Sequence, residues 1–121
     1  VHVDKVKKWF EELDTNLKKN QQWIFKLEKS SRNDIYNLFI KIDNVLVFYD
    51  IANIPNISWN KRIERHFREN KSSDINVQCS YNLLFSKWSP VEITEEDISN
   101  INMVDIEETN ENDIATMAVD S

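Results

Sequence analysis

Glycine is absent from all 121 residues, where average usage near 7% would supply roughly eight. Gly-rich phosphate cradles, dinucleotide fingerprints and strained nucleophile elbows need a residue without Cβ, so none of them can be built here. Two-residue hairpins of the Asn-Gly or Gly-X kind are missing as well, which points away from a sheet of successive hairpins and toward an all-α chain. A lone cysteine, Cys79, forbids an internal disulfide. The two histidines, His2 and His66, lie too far apart in sequence to suggest a zinc constellation, and no metal or cofactor is expected. No apolar run approaches the roughly 18 residues of a membrane span, and Val1 to Lys8 lack the layout of a secretory leader. The chain therefore reads as intracellular, not secreted and not membrane-bound, and Asn56-Ile57-Ser58 reads as a chance match to the glycosylation pattern.

What is present suits one domain with one core: 40% hydrophobic residues, including four Trp, three Tyr and six Phe. The charge is unevenly placed. All fifteen Lys and Arg fall at or before Lys87, against eleven acids in residues 1–88, giving +4; residues 89–121 hold ten acids and no cation, giving −10. The organisation expected is a helical body over residues 1–90 and an acidic tail over 91–121.

Apolar residues recur at helical spacing in four stretches. Val6, Phe10, Leu13, Leu17, Ile24 and Leu27 form a stripe over Asp4 to Lys29, broken near Asn20. Ser30, Ser31 and Asp34 resemble a capping box ahead of Ile35, Leu38, Phe39, Ile42, Val45, Leu46 and Tyr49, which reads as a central buried helix. Val45 to Tyr49 also has strand-like composition, although no partner of similar character stands out. Pro55 breaks the chain, a helix restarts at Ser58, and Val77, Tyr81, Leu84, Phe85 and Trp88 form a last stripe that Pro90 stops. In the tail, Thr94 with Glu95, Glu96 and Asp97 predicts a short helix at 95–102, and Thr109 to Ser121 reads as disordered. The expected fold is all-α: a compact bundle of four to five helices with an acidic, partly disordered C-terminal tail.

Catalysis finds no nucleophile, base and orienting group at recognisable spacing, so a non-enzyme is expected. The helix from Ser58 sets Trp59, Ile63 and Phe67 on one face and Lys61, Arg62, Arg65, Arg68 and Lys71 on the other. Trp59, Lys61, Arg62, Arg65, Arg68 and Trp88 are the candidate partner-binding residues: two indoles at helix ends to line a notch, and a basic rim to steer acids. Glu64 with Arg68 and Arg65 with Glu69 fit four-residue ion pairs. The basic face could also track phosphates, and a nucleic-acid-binding domain masked by its own tail is the alternative.

Residues 54–91 resemble the N-terminal domain of elongation factor TFIIS, the LW domain. Ile63-Glu64-Arg65-His66 sits where that family has Leu-Arg-Lys-His, and Val77, Tyr81, Leu84, Phe85 and Trp88 match the spacing of its last helix. The resemblance covers roughly residues 32–90. It departs where the family opens its basic helix with Ile-Gly and this chain has Asn56-Ile57 or Ile57-Ser58. It implies a helical bundle in a nuclear transcription-elongation or chromatin protein, with a cytoplasmic location as the alternative. Its partners would be proteins carrying short acidic and hydrophobic linear motifs. The acidic tail would then either fold back over the basic face or serve as a docking motif itself.

Overall fold

The computed structural model describes residues 2–106. The chain builds not a bundle but a curved sheet covered by helices: α1 (Val3–Glu11), α2 (Thr15–Asn20), β1 (Gln22–Lys29), β2 (Tyr36–Ile42), β3 (Val45–Ile51), α3 (Ile57–Asn70), β4 (Asp74–Asn82), β5 (Lys87–Thr94) and β6 (Asn100–Ile101). Five strands run antiparallel in the order β3-β2-β1-β4-β5, and β6 pairs in parallel with β2. The all-α expectation is overturned, and with it the resemblance to the TFIIS N-terminal domain, whose bundle this sheet excludes. The transcription-elongation, chromatin and nuclear readings rest on that resemblance and lose their support with it.

The strands follow from alternation. In β4, Ile75, Val77 and Cys79 are buried, while Asn76, Gln78 and Ser80 between them face outward. In β2, Tyr36, Leu38, Ile40 and Ile42 alternate with Asn37, Phe39 and Lys41 in the same way. Residues two apart share one face of a pleated strand, so each strand offers one apolar side. The pairings Phe25 with Val77, Leu27 with Ile75 and Leu27 with Leu38 stack those sides in register.

Hairpins form without glycine because short polar residues take its place. Asp43 and Asn44 close the β2–β3 turn with φ of 49° and 67°. Asp and Asn tolerate the left-handed region better than other residues with a Cβ. Ser86 ends the β4–β5 turn at φ 52°, where Asn82 Oδ1 accepts from the Leu84 and Phe85 amides at 3.0 and 3.3 Å. Asp14 caps α2 and Asn56 caps α3, each by accepting a backbone N–H two or three residues on.

Helices α1 and α3 cover the apolar face. Val6 and Phe10 from α1 and Ile63 and Phe67 from α3 join the inward residues of the strands in one core. Phe10 lies 5.3 Å from Trp23, 4.8 Å from Tyr81 and 5.1 Å from Trp88 by ring centroid, and Trp23 stacks on Trp88 at 4.7 Å. The sheet curls until its outer strands approach: Asn53 N–H donates to Trp88 O at 2.8 Å, and Lys87 Nζ reaches Asp50 Oδ1 at 2.8 Å. Two bulges ease that curvature. Tyr49 is extra opposite Leu38 and Phe39, and Val91 is extra opposite Gln78 and Cys79, beside Pro90.

The described part of the tail belongs to the same body. No helix forms at 95–102. The Ser99 N–H donates to Ile24 O at 2.9 Å, Ser99 Oγ accepts from the Ile24 amide at 2.8 Å, and Asn100–Ile101 pairs with β2. That segment fills the gap where β1 and β2 diverge. Met103 and Ile106 follow it into the core, with the Met103 amide held by Asp43 Oδ1 at 3.0 Å. The expectation of disorder beyond Thr109 falls outside the described residues.

Candidate functional site

Five of the six residues singled out from sequence lie on α3; Trp88 does not. Trp88 belongs to β5 and is only 1% exposed, at the centre of the aromatic cluster, so it lines no partner notch. Trp59 sits in the first turn of α3, half-buried against the core, with the Arg62 guanidinium over its ring at 4.6 Å. Lys61, Arg62, Arg65 and Arg68 are all exposed. Lys61, Arg65 and Arg68 recur at steps of four and three, so they share one flank of the helix. Together with Asn60 and Glu64 they line a shallow concavity of about 430 Å³.

The charge on that flank is set by where Glu64 points. Neither expected ion pair forms: among the described residues Arg68 and Arg65 have no carboxylate within 4.0 Å. Glu64 faces the sheet instead. Its Oε1 accepts from the Tyr36 hydroxyl at 2.7 Å, and its Oε2 lies 3.5 Å from Lys29 Nζ. Asn60, one turn earlier, lies with Oδ1 2.5 Å from the same hydroxyl, and its Nδ2 donates to Asp34 at 2.7 Å. Burial, followed by the hydrogen bond to Glu64, pushes the Tyr36 phenol well above its ordinary range. The phenol stays protonated and keeps donating. Sequence reasoning missed the role of Asn60, Glu64 and Tyr36. The available signal was that positions 60, 63, 64 and 67 make one helical face, so Glu64 lies on the border between the buried Ile63 and Phe67 and the cations and can turn to either side.

Among the described residues, Glu92, Glu95, Glu96 and Asp97 form no ion pair with α3. Glu107, Glu108, Glu111, Asp113 and Asp120 lie outside the described residues, and so does the fold-back expectation that depends on them.

A second cavity, about 50 Å³, lies where α1 meets the closing strands, between Lys7, Phe10, Glu11, Tyr49, Asp50, Tyr81, Ser86 and Trp88. Asp50 takes Lys87 at 2.8 Å and Lys7 at 3.9 Å, and the Tyr81 hydroxyl donates to Glu11 at 3.0 Å. The space is of water size, far below the several hundred Å³ of a ligand pocket. Among the described residues no group of three His, Cys, Asp or Glu could hold a metal ion. Cys79 is fully buried, and burial pushes its thiol above the usual range, which keeps it from acting as a nucleophile. No helix of the described residues is long and apolar enough to cross a membrane.

Comparison with known proteins adds one relative. Over 70 residues, 57% of this chain, the sequence is 36% identical to an uncharacterized protein of Acanthamoeba polyphaga mimivirus, of which the match covers 21%. The matched stretch thus spans about a fifth of the length of that curated relative. No family model matches the chain, and no solved structure matches it.

Proposed function

We propose that this chain is a non-catalytic docking module that receives short acidic segments of a partner protein on the basic flank of α3. The observation that carries the reading is the diversion of Glu64. By bonding to Tyr36 and approaching Lys29, it leaves Lys61, Arg65 and Arg68 with no ion-pair partner among the described residues, around a shallow concavity of about 430 Å³ that Glu64 itself helps to line. Shallow, open and rimmed by cations suits an extended acidic peptide better than a small ligand, which needs enclosure. Rim charges steer association more than they add affinity, and the peptide must be ordered on binding, so a micromolar dissociation constant is expected.

The test is a titration of a fluorescent Glu-rich peptide with a leucine anchor into the full chain. Arg65→Glu with Arg68→Glu weakens binding at least about tenfold, whereas Lys41→Glu, on the outer face of β2, leaves it unchanged. Equal affinity for the wild-type and double-variant chains rejects the reading. Binding of an oligonucleotide in preference to the peptide, with an affinity that falls steeply with salt, would transfer the same flank to the nucleic-acid alternative.

A further inference from the structure

We infer that β3 is the contact strand of a two-fold dimer, pairing edge to edge with β3 of a second copy of this chain. Among the described residues β3 pairs with β2 alone. Its two-residue turn makes Ile42 and Val45 a hydrogen-bonded pair, and Ile40 with Val47 the next. The backbone groups of Leu46 and Phe48 therefore point away from β2. The contact of the Phe39 and Phe48 rings at 5.9 Å agrees, because side chains approach most closely in the intervening non-hydrogen-bonded pairs.

An unpaired edge is a template for another strand, and folded proteins ordinarily blunt it with Lys, Pro, a bulge or a charge. The opposite edge of this sheet is blunted in all those ways: β5 carries Lys87, Pro90, Glu92 and the bulge at Val91. β3 reads Val45-Leu46-Val47-Phe48-Tyr49-Asp50-Ile51, with no Lys, Arg, Pro or Gly, and its bulge at Tyr49 and its one charge, Asp50, which is paired with Lys87, both fall after the Val45–Phe48 stretch. Val45 is 60% exposed, Leu46 40%, Phe48 48% and Ile51 43%. The outer face of the β2–β3 hairpin thus shows Leu46, Phe48 and Ile51 to solvent beside Phe39.

The strand is compatible with its own copy. An antiparallel two-fold through Val47 sets Leu46 opposite Phe48 of the second copy, bonded through the free groups of both. Aliphatic–aromatic pairs of this kind stabilise antiparallel ladders. The only charge in the strand, Asp50, then falls opposite Asn44 rather than another acid. On the inner face, Val47 of the second copy falls beside an apolar pocket of about 280 Å³ lined by His2, Ile42, Asp43, Val45 and Val47. Closure by a two-fold leaves no β3 edge free, so assembly stops at two copies.

Light scattering and sedimentation of the full chain over micromolar to millimolar concentrations test this. The expected result is twice the 14.4 kDa chain mass, with slowed exchange at the Leu46 and Phe48 amides. Leu46→Pro removes an outward donor without touching the ladder to β2 and shifts the mass to one chain. Leu46→Lys, which keeps the backbone intact, does the same, and far-ultraviolet circular dichroism stays unchanged in both. A monomer across the whole range overturns the proposal, as does a dimer that survives both substitutions or a series of larger oligomers.

Discussion

The Tyr36 hydroxyl donates to Glu64 Oε1 at 2.7 Å across the seam between β2 and α3. One buried phenol thereby anchors the helix to the sheet and withdraws an acid from the basic flank. Tyr36→Phe is expected to cost about 1–2 kcal/mol in urea unfolding, because Glu64 loses its donor in a partly buried place. The same substitution frees Glu64 to reach Arg68 and weakens binding of the acidic peptide. Unchanged stability and affinity together would remove Tyr36 from both roles.

Trp88 and Trp59 separate core from surface. Trp88 touches Phe10, Trp23, Phe25 and Tyr81, with ring centroids between 4.7 and 5.5 Å. Trp88→Ala is expected to cost about 3–5 kcal/mol, measured by denaturant midpoint, through lost burial and the cavity left behind. Half-buried Trp59 should cost about 1 kcal/mol on truncation. Equal costs would place Trp88 outside the core.

Alkaline pH should unfold this protein early. Burial is the first cause raising Tyr36, Tyr49, Tyr81 and Cys79, with nearby carboxylates adding to the three phenols. All four therefore hold their protons in the folded state, while the unfolded chain releases them near the ordinary values of 10.0 for tyrosine and 9.0 for cysteine. Stability from these groups is complete below the unfolded values and lost as pH rises past them. Urea midpoints should be level from pH 7 to about 8 and fall above about 9. Tyr49→Phe should flatten that fall, and midpoints level up to about pH 11 would show that the groups ionise freely while folded.

Helix α3 ends on Lys71 in the left-handed conformation, φ 49°, where helices most often place glycine. Lys71→Gly should stabilise the chain by about 0.5–1 kcal/mol, since the side chain there is exposed and its Cβ is strained. The contrast is Asn76→Gly inside β4, which should destabilise by a similar amount. Thermal unfolding of both variants checks the pair, and a loss at Lys71→Gly would show that no strain resides in that cap.

Much of α3 was legible in sequence: the break at Pro55, the restart near Ser58, the buried Ile63 and Phe67, and the exposed cations opposite. The first stripe gave α1 with Val6 and Phe10 inside. The sheet is hidden in the sequence because a step of four residues satisfies both a helix and a strand. Val77, Tyr81 and Phe85 fit a helical stripe, yet Ile75, Val77, Cys79 and Tyr81 alternate without a break against Asn76, Gln78, Ser80 and Asn82. The absence of glycine does not exclude hairpins, because Asp43, Asn44 and Ser86 take the positive φ that the turns require.

What the sequence determined by itself was local: which residues are apolar, where the chain must break, and that cations would line one flank of one helix. It also excluded every mechanism that needs a bare backbone at a phosphate or an elbow. Tertiary structure decided the rest. Strand order and register join residues as distant as Trp23 and Trp88, a choice made by packing of whole faces that no local window contains. It decided too that Glu64 turns to Tyr36 rather than to Arg68. A carboxylate four residues from an arginine and within reach of a buried phenol has two partners open to it, and only the position of β2 beneath α3 selects one.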